Sequence, residues 1–314
     1  QTTTNPLLEG ANSIFAAQTL LPHGRAIAKQ LNPPAVKMKG PIANVDGLII
    51  GVMSKPEHVR RRSLIRRTWG SICRRDSNYR DNGKEPYCDL VFVLGAIKFN
   101  STLRQTVQTE YQTYGDVLWV RSIQEGFGQH LTRKIGAFFS FALHLQPPHR
   151  PRMVFRTDDD VYVRVHEIME EGKTHPVPMF WGHSNTFEKV NRVGKYKLDT
   201  QTFGSYWFPA FMSGGRHVLS LDLLKILLVH RPLTLSTSSL DDVYIAMQLS
   251  NIVEGINDPR FYDGDCLQLL RQGRGSQGGG TPAIGALVCE SSPGKLKNDN
   301  TLEAEFGELF RRGL

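Results

Sequence analysis

Short apolar runs alternate with helix-forming segments in the first half of this 314-residue chain, and this alternation limits the folds open to it. The apolar runs of strand length are residues 45–54, 89–95, 116–120 and 153–157. The helical segments between them are one opened by Pro56 and those over 101–114 and 131–145. Strands that alternate with helices predict an α/β fold with a single, mostly parallel central sheet flanked by helices.

Three consecutive aspartates, Asp158, Asp159 and Asp160, follow the fourth of these strands. Adjacent carboxylates repel one another, and burying them costs solvation unless a cation neutralises them. Mg²⁺ and Mn²⁺ prefer oxygen ligands, and parallel sheets bind ligands beyond the carboxyl ends of their strands. The run therefore predicts a divalent metal site that holds a phosphate group. The alternative is a solvated acidic turn, the common setting of a charge run.

A second pair of acids, Asp241 and Asp242, begins a predicted helix further along the chain. A metal-assisted transfer reaction needs a cation against the leaving group and a separate carboxylate that takes a proton from the attacking hydroxyl. The two acid clusters can divide these roles. Taken alone, the pair is better explained as a helix cap, because acids in a first turn suit the helix dipole. The two interpretations are compatible, since one acid can cap while the next faces a cleft.

Arginines are concentrated in the helix after the first strand. Guanidinium groups bind phosphates in a bidentate manner, and Arg62 and Arg66 share one helix face. They are therefore candidates for a phosphate site, although a solvated helix face is the simpler interpretation for most of this cluster.

Aromatic residues and glycines mark the second half of the chain. Four aromatics are candidates for a platform under a sugar ring, with ordinary core or lid packing as the alternative: Trp181, Trp207, Phe208 and Phe211. Residues 213–215 predict a tight turn in which Gly214 and Gly215 let the backbone approach a ligand. A helix is predicted over 217–230, with His217 in a polar surface or capping position.

Composition narrows the partners and the compartment. The net charge of +8 suits an anionic partner, but no zinc-finger spacing or RNP-type signature supports nucleic acid. No apolar run reaches the roughly 18–20 residues of a membrane span. The cysteines, which lack zinc-site spacing and permit two disulfides in three connectivities, are Cys73, Cys88, Cys266 and Cys289. Pairing of sequence neighbours would close two short loops, and four free buried thiols are the alternative.

Six segments, in this order along the chain, resemble motifs of the Golgi β-1,3-glycosyltransferases. That family (glycosyltransferase family 31) includes β-1,3-galactosyltransferases, β-1,3-N-acetylglucosaminyltransferases and, more remotely, Fringe. The segments are RSLIRRTWG at 62–70, FVLG at 92–95, YGDVL at 114–118 with HLTRK at 130–134, FRTDDDVYV at 155–163, FPAFMSGGRHVLS at 208–220 and LDDVY at 240–244.

The resemblance implies a GT-A catalytic domain over residues 41–314 behind a stem over 1–40. It implies inverting transfer from a UDP-sugar to the 3-hydroxyl of a glycan acceptor, with Mn²⁺ as the usual metal. It further implies the Golgi lumen as the location, and membrane contact only through a type II anchor that is expected in the full-length protein and absent from this chain.

The resemblance also assigns roles to individual residues. Asp160 would bind the metal directly with Asp158 as a second ligand, while Asp158 and Asp159 would support the metal and the nucleotide ribose. Asp242 would be the base that deprotonates the acceptor hydroxyl. The residues implied on the donor side are Arg62, Arg66 and Lys134. The residue patterns above add Trp181, Phe208, Gly214 and Gly215 as candidates for binding substrate, and Asp241, also a candidate there, would orient or cap.

Three positions depart from the family pattern. Arg216 stands in place of a glycine, His217 in place of a tyrosine, and Cys289 where the family has a histidine near the metal. The departures at Arg216 and Cys289 motivate an alternative function, a catalytically silent relative that acts as a chaperone or carbohydrate-binding module. The intact run at 158–160 argues against it, because a silent relative has no chemical need for a metal site.

Overall fold

The computed structural model describes residues 47–73, 88–98, 100–145, 150–230, 240–261, 266, 288–290 and 299–312. The expected stem over residues 1–40 lies outside these residues, so its boundary with the catalytic domain stays a prediction.

The described part consists of strands and helices that alternate through its first half. The strands are β1 (Leu48–Met53), β2 (Cys88–Ala96), β3 (Val117–Gln124), β4 (Met153–Asp158), β5 (Val161–Val163), β6 (Phe180–Asn185), β7 (Phe211–Ser220), β8 (Ile256–Asn257) and β9 (Val288–Glu290). The α-helices are α1 (Val59–Arg67), α2 (Ser101–Tyr114), α3 (Gln129–His144), α4 (Val165–Gly172), α5 (Leu221–Lys225), α6 (Asp241–Leu249) and α7 (Asp299–Arg311). Short 3₁₀ turns span Trp69–Cys73 and Pro259–Phe261, and α5 continues as a π-helical turn over Ile226–His230.

Seven strands form the central sheet in the order β3-β2-β1-β4-β7-β6-β8. The pairs β1–β2, β1–β4, β2–β3 and β6–β8 are parallel, whereas β7 runs antiparallel to both β4 and β6. Six of the seven strands therefore run in one direction, and the predicted α/β fold with one mostly parallel sheet is confirmed. Strands β5 and β9 pair separately as a two-stranded antiparallel sheet.

Two layers of helices cover the sheet, and alternate residues of β1 face different layers. Leu48 and Ile50 pack in the core that includes residues of α1, α4 and α7, whereas Ile49 packs with residues of α3, α5 and α6. Gly51 allows the Phe138 ring of α3 to lie directly on the strand, because a Cβ at Gly51 would be 2.4 Å from that ring. Burial on both faces explains why β1 is an unbroken apolar run rather than an alternating one.

Three local predictions were wrong. The helix after Pro56 begins only at Val59. Residues 213–215 do not form a tight turn but lie within β7, and the helix predicted over 217–230 begins at Leu221. Strand β7 continues to Ser220 because its apolar residues pair with β4, and an apolar run of this length does not distinguish a buried strand from a buried helix.

Two disulfides connect sequence neighbours, Cys73 with Cys88 and Cys266 with Cys289. This is one of the connectivities that the sequence allowed. Among the helices described, none is both long and apolar enough to cross a membrane.

Candidate active site

The acid clusters meet at the edge of the sheet where the parallel strands end. Asp158 is the last residue of β4, and Ser54 directly follows β1. Because β7 is antiparallel to β4, its first residues, including Gly214 and Gly215, lie at the same edge. Helix α6, which packs on β7, begins with Asp241. The topology thus brings together residues that are far apart in sequence.

Asp159 is buried and held by three side chains. Its Oδ2 lies 2.7 Å from the Ser54 hydroxyl and 2.7 Å from His58 Nδ1, and its Oδ1 accepts a hydrogen bond of 3.0 Å from Arg61. Burial alone would raise the pKa of Asp159, but the hydrogen bond from His58, with those of Ser54 and Arg61, holds the pKa below its usual value. Both oxygens are already engaged by the protein, so Asp159 ties the acidic loop to β1 and α1.

Asp158 remains partly open to solvent, with 40% of its side chain exposed. Its Oδ1 lies 3.5 Å from Arg156 Nη2. Partial burial of the carboxylate raises its pKa to about 6, and the negative charges of Asp160 and Asp241 act in the same direction. An additional cation at this position would relieve that repulsion.

Arg156 links the two acid clusters from within the sheet. Its guanidinium lies 3.5 Å from Asp158 and 3.6 Å from Asp241, and only 2% of the side chain is exposed. Its Nε and Nη1 atoms have no hydrogen-bond partner within the described part of the chain. We did not predict this residue as part of the site. A charged residue inside the fourth apolar run, two positions before the acids, was the available signal.

Asp241 and Asp242 begin helix α6 and face the same region. Asp241 is buried, and its Oδ2 makes no hydrogen bond to another described residue. Asp242 Oδ1 accepts a hydrogen bond of 2.8 Å from the Val243 amide. Burial raises the pKa of Asp242 to about 6, and the charge of Asp241 adds to the effect. The helix-start interpretation and the functional one are thus compatible in the structure.

Gly214 and Gly215 lie against acids of both clusters. A Cβ on Gly214 would lie 3.0 Å from Asp242 Oδ2, and a Cβ on Gly215 would lie 2.7 Å from Asp158 Oδ2. Gly215 also has a φ of +77°, in the left-handed region that favours glycine. Asp158 and Asp242 therefore flank one short backbone segment that has no room for side chains.

The predicted donor-side arginines are paired with acids of the protein. Both Arg62 and Arg66 are buried, and both contact Glu110, at 2.7 Å and 2.6 Å. Arg66 also donates two hydrogen bonds of 2.7 Å to Asp116. Arg62 Nη1 reaches Ser54, a partner of Asp159, so this network supports the acidic loop from behind. The expectation that the two guanidiniums face a phosphate is corrected, because acids already compensate their charges.

Lys134 is also paired with an acid of the protein. Its ammonium group donates to both oxygens of Glu125, at 3.1 Å and 2.9 Å, and to the Ser54 carbonyl oxygen at 2.8 Å. Glu125 in turn accepts a hydrogen bond from the Gly95 amide at the end of β2. Lys134 therefore joins the ends of β1 and β2 and presents no uncompensated charge to a donor.

Two of the four aromatics assigned to the sugar platform, Trp181 and Phe208, cannot belong to it. Trp181 is fully buried in β6, where its Nε1 donates a 3.0 Å hydrogen bond to Asp258 and its ring packs edge-on against Phe261. Phe208 is also buried and packs against Phe203. Both rings belong to apolar cores, so neither offers a face to a sugar.

Two of the departures from the family pattern are also explained by packing. His217 is fully buried opposite Arg156 in the β4–β7 pairing, not at the surface as predicted. Burial lowers the pKa of His217 to about 4, and the Arg156 charge contributes. Cys289 forms a disulfide with Cys266, so it is not a metal-site thiolate.

The donor set fits a metal ion only with help from a substrate. Among the described residues, no group of three His, Cys, Asp or Glu side chains is arranged to hold a metal ion. Asp158 and Asp160 are the other two acids of the run. Mg²⁺-type sites with one or two carboxylates are completed by waters and substrate phosphates. Burial and the charges of Asp160 and Asp241 raise the pKa of Asp158, and a cation between these acids would reduce their repulsion, so the residues fit an ion shared with a phosphate.

Comparison with known proteins places this geometry in a family. The family model described as galactosyltransferase matches residues 60–255, which include both acid clusters and Arg156. Beta-1,3-galactosyltransferase 6 of Mus musculus is 26% identical over 252 residues, which are 79% of this chain and 73% of that protein.

Two human relatives are also similar. The acetylgalactosaminyl-O-glycosyl-glycoprotein beta-1,3-N-acetylglucosaminyltransferase is 30% identical over 64% of this chain, and the lactosylceramide 1,3-N-acetyl-beta-D-glucosaminyltransferase is 24% identical over 69%. The matched parts are 52% and 57% of those proteins, so the chain spans about half of their length. Among solved structures, mouse xyloside xylosyltransferase 1 gives a TM-score of 0.39 at 11% identity, covering 79% of this chain and 97% of that one.

Proposed function

The chain belongs to the galactosyltransferase family of hexosyltransferases, and we propose that it transfers galactose or N-acetylglucosamine from a UDP-sugar to the 3-hydroxyl of a glycan acceptor, forming a β-1,3 linkage. The names of its relatives describe β-1,3 transfer of these two sugars. The observation that carries the proposal is the position of Asp158 and Asp242 against adjacent residues of one backbone segment, Gly215 and Gly214.

Asp242 is the proposed base. It takes the proton of the acceptor 3-hydroxyl while the hydroxyl oxygen bonds to the anomeric carbon. The bond from that carbon to the diphosphate oxygen breaks, so UDP leaves and the anomeric configuration inverts. The Oδ1 atom of Asp242 is held by a hydrogen bond from the Val243 amide. A pKa of about 6 makes Asp242 a stronger base than an ordinary aspartate and still leaves it ionised at neutral pH.

The first acid cluster is assigned to the donor. Asp160 and Asp158 would hold Mn²⁺ jointly with the UDP diphosphate, and the ion would offset the negative charge that develops on the departing UDP. Asp159 keeps these two acids in place through Ser54, His58 and Arg61. The Arg156 guanidinium lies 3.6 Å from Asp241 and places one positive charge next to the acids of both the donor and the acceptor side.

We also propose the Golgi lumen as the location. Two disulfides support an oxidising compartment, since structural disulfides are rare where glutathione keeps thiols reduced. The type II anchor of the full-length protein remains a prediction.

The test is UDP release with UDP-galactose and UDP-N-acetylglucosamine over β-galactoside acceptors. Asp242→Asn should lower turnover on the order of 10²–10⁴-fold, as loss of a positioned base does. Asp222→Asn is the matched control, because exposed Asp222 also lies in a first helical turn and its Oδ1 also accepts from the next amide, at 3.0 Å. Chelation should abolish turnover and Mn²⁺ should restore it. Full activity of Asp242→Asn would show that the base is elsewhere.

A catalytically silent relative is the second candidate, favoured by the disulfide at Cys289, where the family has a metal-site histidine. Calorimetry separates the two. An enzyme should bind UDP in a Mn²⁺-dependent manner and turn over at least one donor. A protein that shows neither, yet binds glycans, would fit the silent carbohydrate-binding role.

A further inference from the structure

The segment between β6 and β7 exposes large aromatic side chains beside the catalytic edge. Phe187 is 86% exposed, Tyr206 83% and Trp207 47%. Because β6 runs parallel to β4, it ends at the edge where Asp158 lies, and β7 begins there. We call Phe187, Tyr206 and Trp207 the aromatic face. Exposed apolar groups that cluster next to a site are a common mark of ligand or partner binding.

These rings are exposed on an ordered scaffold. The Val190 amide donates to the Tyr206 carbonyl and the Phe208 amide donates to the Glu188 carbonyl, both at 2.9 Å, so the two flanks of the segment form a ribbon. The Arg192 guanidinium donates to three carbonyl oxygens that close the end of the ribbon, those of Leu198, Phe203 and Ser205. The rings are therefore held in the open by a specific structure.

Phe187 adds a sign of constraint. It has a φ of +61°, a conformation that is uncommon for residues other than glycine and energetically unfavourable for a bulky side chain. Backbone held in such conformations is concentrated at binding sites and active sites. Here it turns the chain directly after β6 and leaves the ring in solvent.

The ribbon is attached to the proposed base through its own small core. Val190, Leu198 and Phe208 on the ribbon side pack with Leu240 and Val243. Leu240 and Val243 flank the acid pair at 241–242 in sequence. The position of the aromatic face relative to Asp242 is thus fixed by packing.

We propose that the aromatic face binds the acceptor glycan, with the apolar C–H face of one pyranose ring against Trp207 and a second sugar of the acceptor against Tyr206, because adjacent residues of the ribbon point to opposite sides. The proposal rests on the proposed function, since an acceptor hydroxyl that reaches Asp242 brings its neighbouring sugars to this side of the site. Aromatic side chains with a polar atom suit a ligand that has one apolar face and many hydroxyls. Lys189, whose ammonium lies 5.3 Å from the centre of the Trp207 ring, offers a donor to those hydroxyls. This platform replaces the one that Trp181 and Phe208 cannot form.

The test compares Tyr206→Ala and Trp207→Ala with Phe310→Ala. Phe310 is likewise an exposed aromatic, 39% accessible, but lies on α7 in the opposite helical layer. Each aromatic-face variant should raise the acceptor KM roughly three- to ten-fold for β-galactoside oligosaccharides, as expected for loss of one aromatic contact. Mn²⁺-dependent UDP binding and the melting temperature should not change, and Phe310→Ala should match the wild type throughout.

Direct measurement of oligosaccharide binding distinguishes failure of the proposed function from failure of the aromatic-face proposal. If the wild type turns over no donor, the proposed function fails, and calorimetric binding of the same oligosaccharides to wild type and Trp207→Ala still tests the aromatic face. Equal acceptor affinity in all variants would overturn it. So would variants that lose binding to anionic lipid vesicles while keeping the acceptor KM, because that result would identify a membrane-docking surface.

Discussion

Arg156 is the buried cation against which the carboxylates of this site are balanced. Its guanidinium lies within 3.6 Å of oxygens of Asp158 and Asp241, and Asp242 also adds to the raised pKa of the arginine. One positive charge is thus shared by three carboxylates. A one-to-one pair would lower the pKa of its acid, whereas here burial and mutual repulsion raise the pKa of both Asp158 and Asp242 to about 6. The carboxylates of the site therefore repel one another, and a bound cation would reduce this repulsion.

The raised pKa of Asp242 predicts how the stability of the protein depends on pH. The pKa of Asp242 rises from the ordinary value to about 6 on folding, so the stabilisation from its protonated form is complete below the unfolded pKa of about 4 and is lost as pH rises to about 6. Asp242→Asn removes that loss and keeps an oxygen for the Val243 amide. The melting temperature of the variant should therefore match the wild type near pH 4 and exceed it at pH 7, by on the order of 2–4 °C.

Asp159→Asn provides the opposite case for the same measurement. Its pKa is held low by hydrogen bonds from His58 and Ser54 and by Arg61, so its stabilisation is present at neutral pH and lost in acid. The variant should melt below the wild type at pH 7, with a smaller difference at low pH. A stability gain of Asp242→Asn that shrank with rising pH would contradict the conclusion that folding raises the pKa of Asp242.

The acids of the site were predictable from the sequence, but their supporting residues were not. Asp158 and Asp242 follow from charge runs at a strand end and at a helix start. Arg62 and Lys134 were assigned to the donor because a sequence shows a cation without showing the acid that neutralises it. Their partners Glu110 and Glu125 become neighbours only through the sheet topology. Arg156 was missed although a charged residue inside an apolar strand was a visible signal, and its link to Asp241 depends on the same topology.

At the scale of elements, the irregular part of β7 shapes the site. The β6–β7 pairing moves from Gly182 opposite His217 to Ser184 opposite Met212, so residues 213–216 form a bulge in β7. Bulges redirect a strand locally and are frequent next to active sites. Here the bulge places the backbone of Gly214 and Gly215 against Asp242 and Asp158.

Substitution of Gly215 should therefore affect activity more than its backbone conformation alone explains. Gly215→Ala places a methyl group 2.7 Å from Asp158 and in the left-handed region. Gly115→Ala is the matched control, because Gly115 has a φ of +67° and no atom within 4 Å of its Cβ position. Both variants should lose about 1–2 kcal/mol of unfolding free energy from the backbone, measured by denaturant titration. Only Gly215→Ala should also lose Mn²⁺-dependent UDP binding and turnover, and equal activity of the two variants would refute the role of the bulge.

The elements themselves were predicted unevenly, for a physical reason. Helix α2 has the bounds predicted over 101–114, where its polar face and a glycine after the last turn mark it clearly. The segment after the bulge was misassigned, because the apolar residues at 218–224 suit a buried strand as well as a buried helix. Residues 218–220 belong to a strand because they pair with β4, and this long-range contact is not visible in the sequence.

At the scale of the whole molecule, the C-terminal part of the chain supports the acidic loop. Strand β9 pairs with β5, and Glu290 lies opposite Val161, the residue after Asp160. The disulfide from Cys289 to Cys266 anchors β9. The other disulfide joins Cys73, at the end of the turn after α1, to Cys88 at the start of β2. The two covalent links therefore serve different parts of the molecule.

Removing each disulfide should separate stability from donor binding. The bridges connect residues 15 and 23 positions apart, so the paired serine variants C73S/C88S and C266S/C289S should each lose about 3 kcal/mol of unfolding free energy. Thermal melting measures that loss in both. Calorimetry with UDP and Mn²⁺, below the melting temperature of either variant, should show weaker binding only for C266S/C289S, because β9 then no longer secures β5 next to Asp160. Equal weakening in both variants would mean that general destabilisation, rather than support of the acidic loop, accounts for the effect.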